Sequence, residues 1–276
     1  MTTTAPKDGA VPQKRASRTT RSPGGGKLTD EQVADVLRLL KGSDSCELKL
    51  SVPDTDHRST VASLGMDPLD AQIRQVCFLD TPDLTLNKAG VVVRVRRVQR
   101  KVGDAIVKLR PIDPEKVAPK TRKSPAFGIE VDAMPGGFVC SGTMKAELDN
   151  TIVKETLRGG QPLSKLFTKE QRAFYAEHAP TGVELNSLSP LGPITVLKLK
   201  FAPADFNRRL VAELWFYPDG ERILELSTKC QPSEAFDVAA QTRAYLADKG
   251  IPLQAEQQTK TATALRFFAR ELSGGA

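Results

Sequence analysis

From residue 45 onward the chain returns again and again to short runs in which apolar and charged residues alternate. Side chains of a β-strand point to opposite faces with a period of two. SCELKLSV (45–52) therefore sets Cys46, Leu48 and Leu50 on one face and Ser45, Glu47, Lys49 and Ser51 on the other. GVVVRVRRV (90–98) places Arg94 and Arg96 opposite Val93 and Val95, and DAIVKLRP (104–111) places Lys108 and Arg110 opposite Val107 and Leu109. GIEVDA (128–133) contributes Glu130 and Asp132, VLKLKFA (196–202) Lys198 and Lys200, RLVAELWF (209–216) Glu213, and RILELSTK (222–229) Glu225, Ser227 and Lys229. Solvation explains a charged face on any one strand. It does not explain paired bases on some strands and acids on others, because like charges on opposed strands repel and need a countercharge. A sheet closed into a barrel accounts for the whole set, with charges pointing inward, apolar residues outward, and helices over the outside. The expected fold is α+β: an antiparallel barrel of about eight strands around a polar tunnel, with flanking helices.

The helical segments are separate from these runs. LTDEQVADVLRLLKG (28–42) has Thr29 as N-cap, Leu28 as a staple, Val33, Val36, Leu37 and Leu40 as its apolar face, and Gly42 after the last turn. The region between Ser141 and Pro180 reads as helices covering the barrel. EAFDVAAQTRAYLADKG and LQAEQQTKTATALRFFARELS read as two more, with Phe267, Phe268 and Leu272 packed on the barrel or on another subunit.

Charge is unevenly placed. Residues 1–27 are rich in Thr, Pro, Gly and Arg, almost devoid of apolar residues, and carry +5 of the formal +7. That composition predicts a disordered basic tail before a tunnel domain over 28–276, and limits nucleic-acid binding to weak contact through the tail. No run reaches the roughly 18 apolar residues of a membrane helix, and the N-terminus has no secretory core segment, so a cytoplasmic protein with no membrane partner is expected. Cys46, Cys77, Cys140 and Cys230 are scattered and read as buried thiols. With His57 and His178 the only histidines, a His-rich metal site or a Ser-His-Asp triad is disfavoured, and any metal would be a hard cation on oxygen ligands. There is no G-x-x-x-x-G-K-[ST] loop.

FLDTPDLTLNKAGVVVRVRR followed by AIVKL resembles the CYTH, or triphosphate tunnel metalloenzyme, family, in Asp80 to Asp83, Leu86, Gly90, Arg94, Arg96 and Lys108. That family includes thiamine triphosphatases, inorganic tripolyphosphatases, RNA triphosphatases and class IV adenylate cyclases. Its first strand reads E-x-E-x-K, and here Ser45 precedes Glu47 and Lys49; its last strand carries E-x-E, and here Glu225 precedes Ser227, with Glu213 twelve residues upstream. The resemblance implies Glu47, Glu213 and Glu225 as ligands of Mg²⁺ or Mn²⁺ and Lys49 in a phosphate or catalytic-water role. It implies Arg94, Arg96, Lys108, Arg110, Lys198 and Lys200 as phosphate ligands, with solvated charges the alternative at Lys198 and Lys200. Glu130 and Asp132 would be supporting acids, bridging to Arg94 or Arg96. Serines in place of two carboxylates weaken the expected metal cage. The implied function is metal-dependent hydrolysis of a triphosphate such as tripolyphosphate, a nucleoside triphosphate or thiamine triphosphate. Polyphosphate or nucleotide binding without turnover, and conversion of ATP to cyclic AMP, are the alternatives.

Overall fold

The computed structural model describes residues 20–21, 29–253 and 260–274. Of the expected tail it describes only β1 (Thr20–Arg21), paired with Phe138 and Gly137. The rest of the tail, and residues 254–259 of the expected last helix, lie outside the described residues.

The remaining strands are β2 (Ser45–Val52), β3 (Gln72–Asp80), β4 (Val91–Val98), β5 (Lys101–Leu109), β6 (Phe127–Met134), β7 (Gly137–Leu148), β8 (Ser189–Phe201), β9 (Leu210–Phe216) and β10 (Arg222–Cys230). They run β7-β5-β4-β3-β8-β9-β10-β2-β6, and β6 pairs back onto β7, so nine strands close into a barrel. Every pairing is antiparallel except β2 with β6, which is parallel. The expectation of eight antiparallel strands thus missed one strand and one direction. The missed strand is β7, whose GFVCSGTMKAEL has small residues where a strand signal needs bulk. The small side chains have a packing reason: a Cβ on Gly142 would lie 2.7 Å from the Phe127 ring.

Helices cover the outward, apolar faces. α1 (Asp30–Lys41) starts with a reciprocal cap, in which the Gln32 amide donates to the Thr29 hydroxyl oxygen at 3.2 Å and the Thr29 amide to the Gln32 side chain at 2.9 Å. It buries Val36 and Leu40 against Cys46, Ile129 and Val131, with Leu39 partly packed on the same cluster. Leu37, expected on the apolar face, is exposed, because contact centres on the Val36, Leu39 and Leu40 side. The short α2 (His57–Ser63), α3 (Thr85–Lys88) and α4 (Pro119–Arg122) lie in connections. α5 (Asn150–Leu157) and α6 (Lys169–His178) lay Val153, Phe174 and Tyr175 over Val91, Val93, Val95, Ala105 and Val107. α7 (Ala235–Asp248) places Tyr245 and Leu246 against Leu50, Leu210, Leu224 and Leu226.

α8 (Lys260–Gly274) closes one end of the barrel. Its Ala264 and Leu265 are buried, and with Phe268 they pack on Val76, Phe78, Val92, Ile194, Val196, Trp215 and Ile223. By strand alternation these residues share the inward face with Arg94, Glu213 and Glu225, so the interior is charged along part of its length and apolar under α8. Phe267 packs edge-on against Phe268 at 5.0 Å, and Leu272 is exposed.

The Asp80–Asp83 segment is a structural corner. The buried Asp80 carboxylate accepts from the amides of Thr81, Leu86 and Asn87 at 2.7, 2.9 and 3.0 Å, which fixes the entry into α3. The chain then returns to β4 through Gly90 at φ +76°, where a Cβ would lie 2.8 Å from the Arg110 carbonyl oxygen. Replacing Asp80 with Ala strands buried N–H donors and is expected to lower stability by about 2 kcal/mol in chemical denaturation.

Candidate functional site

Alternation along the strands turns the charged residues into the barrel, where they collect around two acidic poles. The first pole centres on Asp132 of β6, which has no solvent exposure. Lys49 Nζ lies 2.6 Å from its Oδ1, while Arg110 Nη1 and Lys108 Nζ lie 3.0 and 3.8 Å from its Oδ2. Lys49 also sits 3.0 Å from Glu47, which faces Asp132 across the parallel β2–β6 pair. The Glu130, Asp132 and Glu47 carboxylates bring oxygens within 4.8 Å of one another. Both serines of interest attach here: Ser227 donates to Glu47 at 3.1 Å, and Ser45 to Glu130 at 3.4 Å. Lys229 forms an ion pair with Glu130 at the more exposed edge.

The second pole is Glu213 of β9 and Glu225 of β10, directly opposed across their strands. Lys260, the first residue of α8, places its Nζ 2.6 Å from Glu213 and 2.7 Å from Glu225. Lys198 reaches the other Glu213 oxygen at 2.7 Å, and Trp215 Nε1 donates to Glu213 at 3.3 Å. Of the expected metal ligands, Glu47 therefore meets Glu130 and Asp132, and Glu213 and Glu225 meet each other on Lys260.

The arginines divide by partner. Arg96 lies opposite Asp104 and its Nε contacts both carboxylate oxygens at 3.0 and 3.1 Å. Arg74 donates twice to the Gln72 side chain, at 3.1 and 2.9 Å. Among the described residues Arg94 has no carboxylate within 4.0 Å, and its buried Nε has no hydrogen-bond partner. The expectation that Glu130 and Asp132 bridge to Arg94 or Arg96 is thus corrected. β6 pairs with β2 and β7, which hands its acids to Lys49, Lys108, Arg110 and Lys229, while Asp104 on the neighbouring strand takes Arg96. Lys200 is exposed at the end of β8.

Burial and pairing compete at each titratable group. For Asp132 burial favours the neutral acid, but Lys49, Lys108 and Arg110 outweigh it and hold the carboxylate well below its ordinary range. Burial also works against the Lys49 ammonium, and Asp132 and Glu47 override it, so Lys49 stays firmly protonated. Lys108 has the opposite balance: burial, reinforced by Lys49 and Arg110, outweighs Asp132 and lowers it to about 8. Burial and adjacent Arg96 push Arg94 downward as well.

Three participants were missed in the sequence. Asp104 and Arg74 share the inward alternation of Lys108 and Phe78, which was a usable signal. Lys260 gave none, since it lies on a helix far along the chain from the acids it meets.

No protein-family model and no curated protein matches the chain. Solved structures do match in fold. The Hippeastrum protein HpAC1, named as an adenylyl cyclase and described by a dominant triphosphatase activity, matches at 17% identity and a TM-score of 0.60, over 80% of this chain and 95% of its own. A Bacillus halodurans protein named as an adenylate cyclase matches at 15% identity and 0.57, over 82% and 98%. The barrel shares its fold with these two proteins. Among the described residues no helix is long and apolar enough to cross a membrane.

Two outcomes follow from the first pole. Asp132→Asn leaves three cations without their shared carboxylate and is expected to cost about 3–5 kcal/mol in denaturant titration. The Lys108 amine is expected to lose its proton as pH rises through about 8, so the pole is one charge more positive below that pH than above it. Heteronuclear NMR of the lysine side chains measures this directly.

Proposed function

We propose that the protein is a metal-dependent hydrolase of triphosphate-containing small molecules such as tripolyphosphate, a nucleoside triphosphate or thiamine triphosphate, held in the charged interior. Arg94 carries this reading. A guanidinium inside the barrel, with its Nε unsatisfied and no carboxylate within 4.0 Å among the described residues, is short of a countercharge. Phosphate oxygens provide that charge through short, bidentate hydrogen bonds. Arg74 and Arg96 flank Arg94, and Lys198 and Lys108 extend the cationic surface.

The residues fit a hard divalent cation such as Mg²⁺ or Mn²⁺. Glu47, Glu130 and Asp132 cluster their oxygens within 4.8 Å of one another, a set of hard oxygen ligands. A cation on these carboxylates would neutralise phosphate charge and polarise a water. Lys49 keeps its proton, so it serves as a donor that orients Glu47 and Asp132 and contacts a phosphate or water oxygen, not as a general base. Ser227 and Ser45 hold Glu47 and Glu130 by hydroxyl donation. Positioning and charge neutralisation meet most of the demands of phosphoryl transfer, which needs no histidine.

One observation favours a second reading, binding without turnover: Lys49 and Lys229 already provide countercharge to the carboxylate trio. A substrate panel with Mn²⁺ or Mg²⁺ separates the readings. Orthophosphate release that stops with EDTA is expected. Arg94→Ala is expected to raise KM roughly tenfold to a hundredfold, the loss of a charged hydrogen bond worth about 1.5–3 kcal/mol. Cyclic AMP and pyrophosphate from ATP would assign the cyclase reaction instead. Salt-sensitive tripolyphosphate binding that persists in EDTA, with no product, would assign a binding protein, and neither binding nor product overturns both readings.

A further inference from the structure

The barrel holds two acidic poles, and its own chain treats them differently. At Glu47, Glu130 and Asp132 the cations come from the barrel strands and their ends: Lys49 of β2 lies 3.0 and 2.6 Å from Glu47 and Asp132, and Arg110, just beyond β5, lies 3.0 Å from Asp132 Oδ2. At Glu213 and Glu225 an ammonium is carried in from outside the barrel. Lys260 lies 2.6 and 2.7 Å from one oxygen of each carboxylate, and Lys198 takes the remaining Glu213 oxygen at 2.7 Å.

The delivery is built into α8. Lys260, Ala264 and Phe268 recur every four residues and so lie along one helix face. The same face that packs Ala264 and Phe268 on the apolar end of the interior aims Lys260 at the acids. Tyr217 fixes the start of the helix by donating its hydroxyl to the Lys260 carbonyl at 3.0 Å. The Lys260 ammonium lies 5.2 Å from the centroid of the Trp215 ring, which in turn donates to Glu213. Ion pairs, a cation–π contact and apolar packing thus all favour one position for this side chain.

We propose that Lys260 is the barrel's built-in second cation: seated between Glu213 and Glu225, it takes the place a divalent ion would otherwise occupy there. Under the function proposed above, a metal is then confined to the Glu47–Glu130–Asp132 pole, where it would have to displace Lys49 from Glu47 and Asp132. Two carboxylates alone attract a hard cation, but with the ammonium between them a divalent ion would meet a like charge a few ångströms away in a medium of reduced dielectric. The seating of α8 thereby sets how many metal ions the interior takes. The assignment of the first pole rests on the function proposed above, whereas the occupancy of the second rests on Lys260 alone.

Mn²⁺ titration of the full chain without substrate tests this, with calorimetry for stoichiometry and the fluorescence of Trp215, the single tryptophan, as a local reporter. The wild type is expected to bind one equivalent. Lys260→Gln is expected to gain a second, saturable equivalent that quenches Trp215 and disappears in Lys260→Gln with Glu225→Gln. Lys260→Arg keeps the charge and is expected to match the wild type. If Lys260→Gln loses the native circular dichroism spectrum, Lys260→Met, which keeps the aliphatic stem, takes its place. A folded neutral variant with wild-type stoichiometry overturns the proposal, as does a Lys260→Arg variant that also gains the site. If the wild type binds no Mn²⁺, the metal-dependent reading of the first pole fails. A Glu225-dependent equivalent appearing in Lys260→Gln would still support the role of Lys260.

Discussion

A carboxylate with no solvent exposure, Asp132, has to be matched by cations, and the rest of the interior is organised around that requirement. Removing a charge from water costs several kcal/mol unless opposite charges and hydrogen bonds replace the solvent. Lys49 from β2, Lys108 from β5 and Arg110 just beyond β5 supply the match. These groups come from separate strands, so they meet only when the sheet closes. The parallel β2–β6 pair, which sets Glu47 beside Asp132, is what brings the second acid within reach of Lys49.

Closure also divides the interior. Charged residues fill one part, and Phe78, Val92, Val196 and Trp215 fill the end on which α8 rests. A helix seated on that end keeps water away from Glu213 and Glu225, and reduced hydration strengthens every electrostatic contact nearby. Lys260 resolves the cost of burying those two acids, and Asp104 resolves the cost of burying Arg96. Arg94 is left without such compensation, and burial works against its charge. Arg94 thus faces the interior with no carboxylate within 4.0 Å among the described residues, the imbalance on which the proposed anion binding rests.

Much of this was legible in the chain itself. Alternation is a local property, and Arg94 and Arg96, Lys108 and Arg110, or Glu225 and Ser227 share faces in any regular strand. The inward charges and the helices on the apolar outside follow from it. β7 was hidden because Gly137, Ser141 and Gly142 give a weak strand signal. The smallness of Gly142 reflects its neighbours Phe127 and Ile112, which the sequence does not place.

Partner choice belonged to the tertiary structure. Each strand states which of its residues face inward, but not which strand lies beside it, since register and neighbour depend on contacts between distant segments. Glu130 and Asp132 pointed inward as read, yet the order β10-β2-β6-β7 gave them Lys49, Lys108, Arg110 and Lys229 in place of Arg94 and Arg96. Glu213 and Glu225 were likewise visible as acids, while Lys260 became their partner only because α8 packs across the end of the closed barrel. Local pattern set the periodicity and the kinds of charge, and closure of the barrel chose which charges neutralise one another, because Coulomb attraction depends on distances that no local pattern encodes.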